Sequence, residues 1–124
     1  VIMEVLEIDK IKEISVKCAK LLEEKKANNI MLLDVGNLTP LADYFLIASA
    51  PTYLQIKTLQ KFIENELVKD KIKRINSKNP YDETPWLLSD YGFIVVHLFL
   101  DEARDYYNIE KFWHDAEIIY ECDN

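Results

Sequence analysis

A chain of 124 residues, 49% hydrophobic and 30% charged, is long enough for one domain around one core and too apolar to stay disordered. A formal charge of −7 disfavours generic binding to phosphate backbones and favours a basic protein partner, whose opposite potential speeds docking. No apolar run reaches the ~18–20 residues that span a bilayer, so no membrane partner is expected.

Asp9 is placed to cap a first helix, with Ile11, Ile14, Cys18, Leu21 and Leu22 spaced as one apolar stripe. Ala27-Asn28-Asn29 breaks that pattern. Ile30 to Leu33, followed by Asp34-Val35, is a short apolar run bounded by turn residues and predicts a strand buried on both faces. Gly36-Asn37 and Thr39-Pro40 make the next loop. Tyr44 to Ala48 predicts a second interior strand. Thr52 and Gln55 have the spacing of a capping box, and the helix they open carries Ile56, Leu59, Ile63 and Leu67 on one face.

A lysine-rich stretch follows, with Ile72 and Ile75 as the apolar contacts of a short edge strand. Asn79 to Pro85 has loop composition. Trp86–Asp90 and Ile94–Leu100 are aromatic or β-branched enough for strands, and Tyr91-Gly92-Phe93 joins them as an antiparallel hairpin. Asp101 is placed to cap a last helix, with Tyr106, Ile109 and Trp113 at helical spacing; the tail receives no assignment. The order predicts an α/β fold in one domain, 1–124: a mixed five-stranded sheet flanked by helices.

Chemistry-bearing motifs are sparse. Gly36 and Gly92 are the only glycines, too few for a P-loop or a dinucleotide fingerprint, so no nucleotide cofactor is expected. His97 and His114 have no histidine or cysteine at ligand spacing, so no metal is expected either. His97, inside an apolar strand, reads as a histidine satisfied by a hydrogen bond. Cys18 and Cys122 lie at opposite ends of the chain and suit a reducing cytoplasm. The start, Val1-Ile2-Met3-Glu4, lacks the basic region and apolar core of a signal peptide, which also fits a cytoplasmic protein.

Asp34, Asp43 and Asp90 fall at strand ends, where paired carboxylates could hold a divalent metal or do acid–base work; capping a turn is the alternative use of each. Lys69, Lys71, Lys73, Arg74 and Lys78 form a local basic stretch, suited to minor contact with RNA phosphates or to a solvated edge. Trp86, Tyr91, Phe93 and Phe99 crowd one short segment beside Asp90. Such rings either fill the core or form a partner surface, an apolar anchor beside an orienting charge. Composition leaves both readings open.

Three stretches decide between them by resemblance: LADYFLIASA (Leu41 to Ala50), preceded by MLLDV; WLLSDYGFIVVHLF (Trp86 to Phe99); and EARDYYNIEKFW (Glu102 to Trp113). In order and spacing they resemble the Iojap / ribosomal silencing factor family. Three positions depart from the family pattern: Phe93 stands where aspartate is common, and Ala50 and Leu54 stand where a glycine and an arginine are usual.

The resemblance implies a nucleotidyltransferase-like fold without the paired catalytic carboxylates, and hence no enzyme. It implies binding to the large ribosomal subunit through its protein uL14, blocking the small subunit from joining and so repressing translation. Trp86, Asp90, Tyr91 and Phe93, assisted by Asp43 and Tyr44, are the expected partner surface. A homodimer through the same apolar patch is compatible with this role. The alternative is a nucleotidyltransferase-like, metal-dependent enzyme using Asp34, Asp43 and Asp90.

Overall fold

The computed structural model describes residues 2–76 and 84–123, with side chains from Glu7 onward. Lys78 and the greater part of the loop expected at Asn79 to Pro85 lie outside the described residues. Helix α1 (Ile2–Glu24) leads into antiparallel strands β1 (Asn28–Asp34) and β2 (Tyr44–Ala50), then α2 (Tyr53–Lys69). The hairpin β3 (Trp86–Asp90) and β4 (Ile94–Leu100) follows, then α3 (Asp101–Tyr107), the single turn α4 (Ile109–Phe112) and β5 (Glu117–Cys122).

The sheet is mixed and five-stranded, in the order β3-β4-β2-β1-β5. β2 and β4 pair in parallel, Tyr44 opposite Ile94 through Ala50 opposite Leu100; every other pairing is antiparallel. A parallel pair needs a long crossover, and α2 supplies it. The arrangement is compatible with a nucleotidyltransferase-like label.

Residue alternation along the strands divides the core in two. One face, including Ile30, Leu32, Leu46, Val96 and Leu98, packs under α1 and α2. The other, including Leu33, Phe45, Ile47, Val95 and Phe99, packs under the short α3 and α4. Every residue of β2 is buried, as its unbroken apolar run predicts. Thr52 forms the expected capping box: its hydroxyl accepts from the Gln55 N–H and Gln55 Oε1 accepts from the Thr52 N–H. The stripe Ile56, Leu59, Ile63, Leu67 is the buried face of α2.

Four expectations are corrected. Asp9 does not cap α1, because the helix already runs from Ile2 and Asp9 is an exposed residue within it. Ile72 and Ile75 form no strand. Ile72 packs on the core, while Ile75 donates its N–H to the Asp90 carbonyl at 2.7 Å and leaves its side chain exposed. The fifth strand is instead the tail, which closes the opposite edge of the sheet against β1.

Asp101 is the first residue of α3 rather than its cap; its carboxylate accepts from Asn28 Nδ2 at 3.0 and 3.3 Å. The last helix is also broken. Asn108 adopts a left-handed conformation (φ 40°, ψ 53°), which an asparagine tolerates better than most residues, and it ends α3 before Ile109 starts α4.

Leu46→Ala, at a fully buried site in the central β2, is expected to lower unfolding stability by about 2–5 kcal/mol. Thr52→Ala, which removes only a cap, should cost about 1 kcal/mol. Chemical denaturation of both variants checks this order.

Candidate partner-binding surface

The structure splits the six expected surface residues between the two ends and the two faces of the sheet. Trp86 pairs with Phe99 at the C-terminal end of β4, whereas Asp90 pairs with Val95 at its N-terminal end. Four residues of extended strand separate them by about 13 Å. Asp43, Tyr44 and Phe93 gather at the Asp90 end, where the Asp43 and Tyr44 N–H groups both donate to the Phe93 carbonyl at 2.9 Å.

Tyr44 and Tyr91 are buried in the core under α1 and α2, so their rings support the surface from within. Phe93 packs half-buried against that same core and does not enlarge the Trp86 patch. It follows Gly92, whose φ of +90° would strain any side chain. Ala50 is buried and Leu54 faces solvent, so the position where the family usually has arginine points outward.

The carboxylates at this end act as turn caps. Asp90 Oδ1 accepts from the Gly92 N–H at 2.8 Å, and Asp34 Oδ1 from the Gly36 N–H at 3.1 Å. Asp34 and Asp43 both approach Gly36, but Asp90 stands three strand spacings from Asp34, about 14 Å across the sheet. Among the described residues no three His, Cys, Asp or Glu groups converge as metal ligands. Burial, reinforced by Asp34, Asp43 and Glu117, pushes the Tyr44 hydroxyl up.

Trp86 anchors a different feature. Its ring stacks on Phe99 at 4.9 Å and meets Tyr107 at 5.1 Å, and Tyr107 in turn meets Tyr106 edge-on at 5.1 Å. On its other side lie His97 at 5.7 Å, then Phe45, then Trp113. Aromatic rings thus run in one connected row from α3, across β3, β4 and β2, to the end of α4. Phe99, Phe45 and His97 are buried, while Trp86, Tyr107 and Trp113 are half-buried. Tyr106 (82% exposed) and Phe112 (81%) stand free beside them, and Leu88 (40%) continues the Trp86 face of β3.

Tyr106 and Phe112 were missed as surface residues, because an unbroken helix would turn Tyr106 inward. The only sequence signal was Asn108, a residue that tolerates left-handed backbone.

His97 holds Trp86 in place. The indole N–H donates to His97 Nδ1 at 3.1 Å, which leaves the proton of the neutral imidazole on Nε2. Nε2 is buried without a hydrogen-bond partner among the described residues. Burial pulls the histidine down to about 4, so it stays neutral and accepting at physiological pH.

A second tie holds α3 to the sheet. Arg104, buried at its base, is ion-paired with Glu110 and donates to Ser49 Oγ at 3.4 Å. Outside this tie, α3 presents Glu102 and Asp105 to solvent next to Tyr106. The surface is therefore aromatic with an acidic rim.

A family model described as "Ribosomal silencing factor during starvation" matches residues 8–124. The ribosomal silencing factor RsfS of Bacillus subtilis is 34% identical over 96 residues, 77% of this chain and 80% of that protein. The chloroplastic protein Iojap of Zea mays is 30% identical over 105 residues, 85% of this chain and 45% of that longer protein. A crystal structure from Chromobacterium violaceum superposes with a TM-score of 0.72 at 30% identity, covering 86% of both chains. One from Bacillus halodurans gives 0.68 at 26% identity, covering 85% and 94%.

A folded-state histidine held at about 4, against about 6.5 unfolded, means that the unfolded chain takes up the proton first as pH falls. His97 therefore contributes stability that is complete above about pH 6.5 and is lost between there and pH 4. The full amount is about 3 kcal/mol. Denaturation of wild type and His97→Gln from pH 7 to 4.5 should give a slope that is markedly flatter in the variant.

Proposed function

Because the chain belongs to the ribosomal silencing factor family, we propose that it binds the large ribosomal subunit through uL14 and bars the small subunit from joining. The observation that carries this reading is the row of rings that runs through half-buried Trp86 to exposed Tyr106, with an acidic rim from Glu102 and Asp105. Exposed aromatic side chains held rigidly by neighbours lose little entropy on docking, and they are the usual anchors of protein interfaces. The acidic rim and the charge of −7 suit a basic ribosomal protein.

Silencing in this way needs no catalysis. It needs an interface of ~1,200–2,000 Å² and a body standing where the small subunit docks. The setting is the cytoplasm, where ribosomes assemble. Trp86 is the anchor, its N–H already satisfied by His97, so the exposed part of the ring is free to bury against apolar groups. Asp43, Asp90 and Phe93, at the far end of the sheet, form a separate secondary contact supported from within by Tyr44 and Tyr91. Away from the ribosome, the same apolar surface can pair with a second copy of the chain.

In a pull-down with purified large subunits, Trp86→Ala and Tyr106→Ala are expected to weaken binding by about thirtyfold or more, equivalent to ~2 kcal/mol or above. Asp90→Ala, at the other end of β3, should have a smaller effect. On a sucrose gradient the wild type should travel with free large subunits and be absent from joined ribosomes. Folded Trp86→Ala and Tyr106→Ala proteins that bind like wild type would overturn this surface.

A further inference from the structure

The described residues contain a recess distinct from the row of rings but touching it at Trp86. It is a groove of about 450 Å³ between α2 and the outer side of β3, and its walls include Tyr53, Lys57, Lys61, Glu64, Arg74 and Trp86. Three cations face one carboxylate there, in a chain whose overall charge is −7. Lys57 and Lys61 lie one helical turn apart on α2, so they project from the same side. Arg74 comes from the segment after the helix. It is separated from its basic neighbours: Lys69 is engaged with Glu66, and Lys71 and Lys73 are exposed outside the groove.

An edge strand usually invites a peptide to add to the sheet. Here that route is largely closed. Thr84 Oγ1 both accepts from the Trp86 N–H and donates to the Trp86 carbonyl. Asn76 donates to the Leu88 carbonyl and accepts from the Asp90 N–H, both at 2.8 Å, and Ile75 takes the Asp90 carbonyl. With those backbone groups occupied, a ligand meets side chains: cationic heads and two half-buried rings, Trp86 and Tyr53, with Lys57 Nζ standing over the Tyr53 ring at 5.8 Å.

Cations spaced along a groove beside aromatic faces are what an unpaired nucleic-acid strand requires, with phosphates on the cations and bases stacked on the rings. We propose that this groove takes a short unpaired stretch of ribosomal RNA, with Lys57, Lys61 and Arg74 on its phosphates and Tyr53 against a base. This rests on the ribosome-binding reading above and adds a second partner to it. Trp86 is common to both walls, so protein and RNA would be gripped on either side of one residue. The acidic body repels RNA at long range, but at physiological salt that field is screened within about 8 Å. The RNA contact therefore acts after docking, as a short-range and salt-sensitive lock.

The test is fluorescence anisotropy of purified protein with a labelled oligouridylate of about ten nucleotides. Binding is expected to weaken with salt, with a slope in log K against log salt of about −1.4 to −2, as two or three phosphate contacts give. Lys57→Glu combined with Lys61→Glu should lower affinity about tenfold or more. Lys12→Glu combined with Lys20→Glu makes the same charge change on exposed positions of α1 and should change little. Tyr106→Ala should leave RNA binding intact while weakening binding to isolated uL14, and the Lys57/Lys61 variant should do the reverse. The two readings thus fail separately.

The RNA proposal is overturned by three results: no binding to wild type, equal binding by the Lys57/Lys61 variant, or displacement of the RNA by polyglutamate of the same length at equal concentration. The last would mark an acidic-peptide site.

Discussion

A strand with a neighbour on each side and no water on either face has to satisfy all its backbone groups through pairing, and β2 and β4 meet that demand by pairing with each other in parallel. Parallel pairing forces the chain to cross over through α2 before β4 can form. It also sets which residues of β4 look toward α3. His97 falls beside Ile47 on one side and Leu88 on the other, directly under the Trp86 face of β3. A slip of one residue in this register would turn His97 and Phe99 toward α1 and α2 and dismantle the row of rings.

The two faces are covered unequally. α1 and α2, of 23 and 17 residues, blanket one side, while the other has only seven residues of α3 and the four of α4. A thin cover on an apolar sheet leaves rings half-exposed at its margins. Rigidity then comes from polar ties: Arg104 to Glu110 and Ser49, Asn28 to Asp101, Trp86 to His97. The buried histidine contributes to this only while neutral. The same bond therefore orients the proposed anchor and makes stability depend on pH.

The acidic strand ends are occupied with local work. Asp34 and Asp90 each hold a backbone N–H two residues on, the role their turn positions favour. The groove beside β3 differs in kind, because its charge is opposite to that of the body that carries it. A protein that docks by an aromatic surface and then engages phosphates at short range could remain acidic overall without forfeiting the second contact.

Local pattern was enough for the elements whose signals are local: the apolar runs of β1, β2 and β4, the stripe of α2, the Thr52 capping box and the β3–β4 hairpin; the mixed five-stranded sheet is also found, with the tail in place of the expected fifth strand. The family motifs also pointed to Trp86. What sequence could not supply was anything fixed by distant partners. The tail became a strand because β1 has a free edge, while Ile72 and Ile75, which carry a similar pattern, were drawn onto the core and onto the end of β3. Asn108 broke a helix that spacing alone would continue, and so took Ile109 and Trp113 off the helix face that carries exposed Tyr106. Trp86 and Asp90, neighbours in one motif, were sent to opposite ends of a strand, and Arg74 was brought beside Lys57 and Lys61 of α2. Proximity along the chain decides hydrogen bonds of a turn or two; proximity in space depends on which faces are buried, and only the packed sheet determines that.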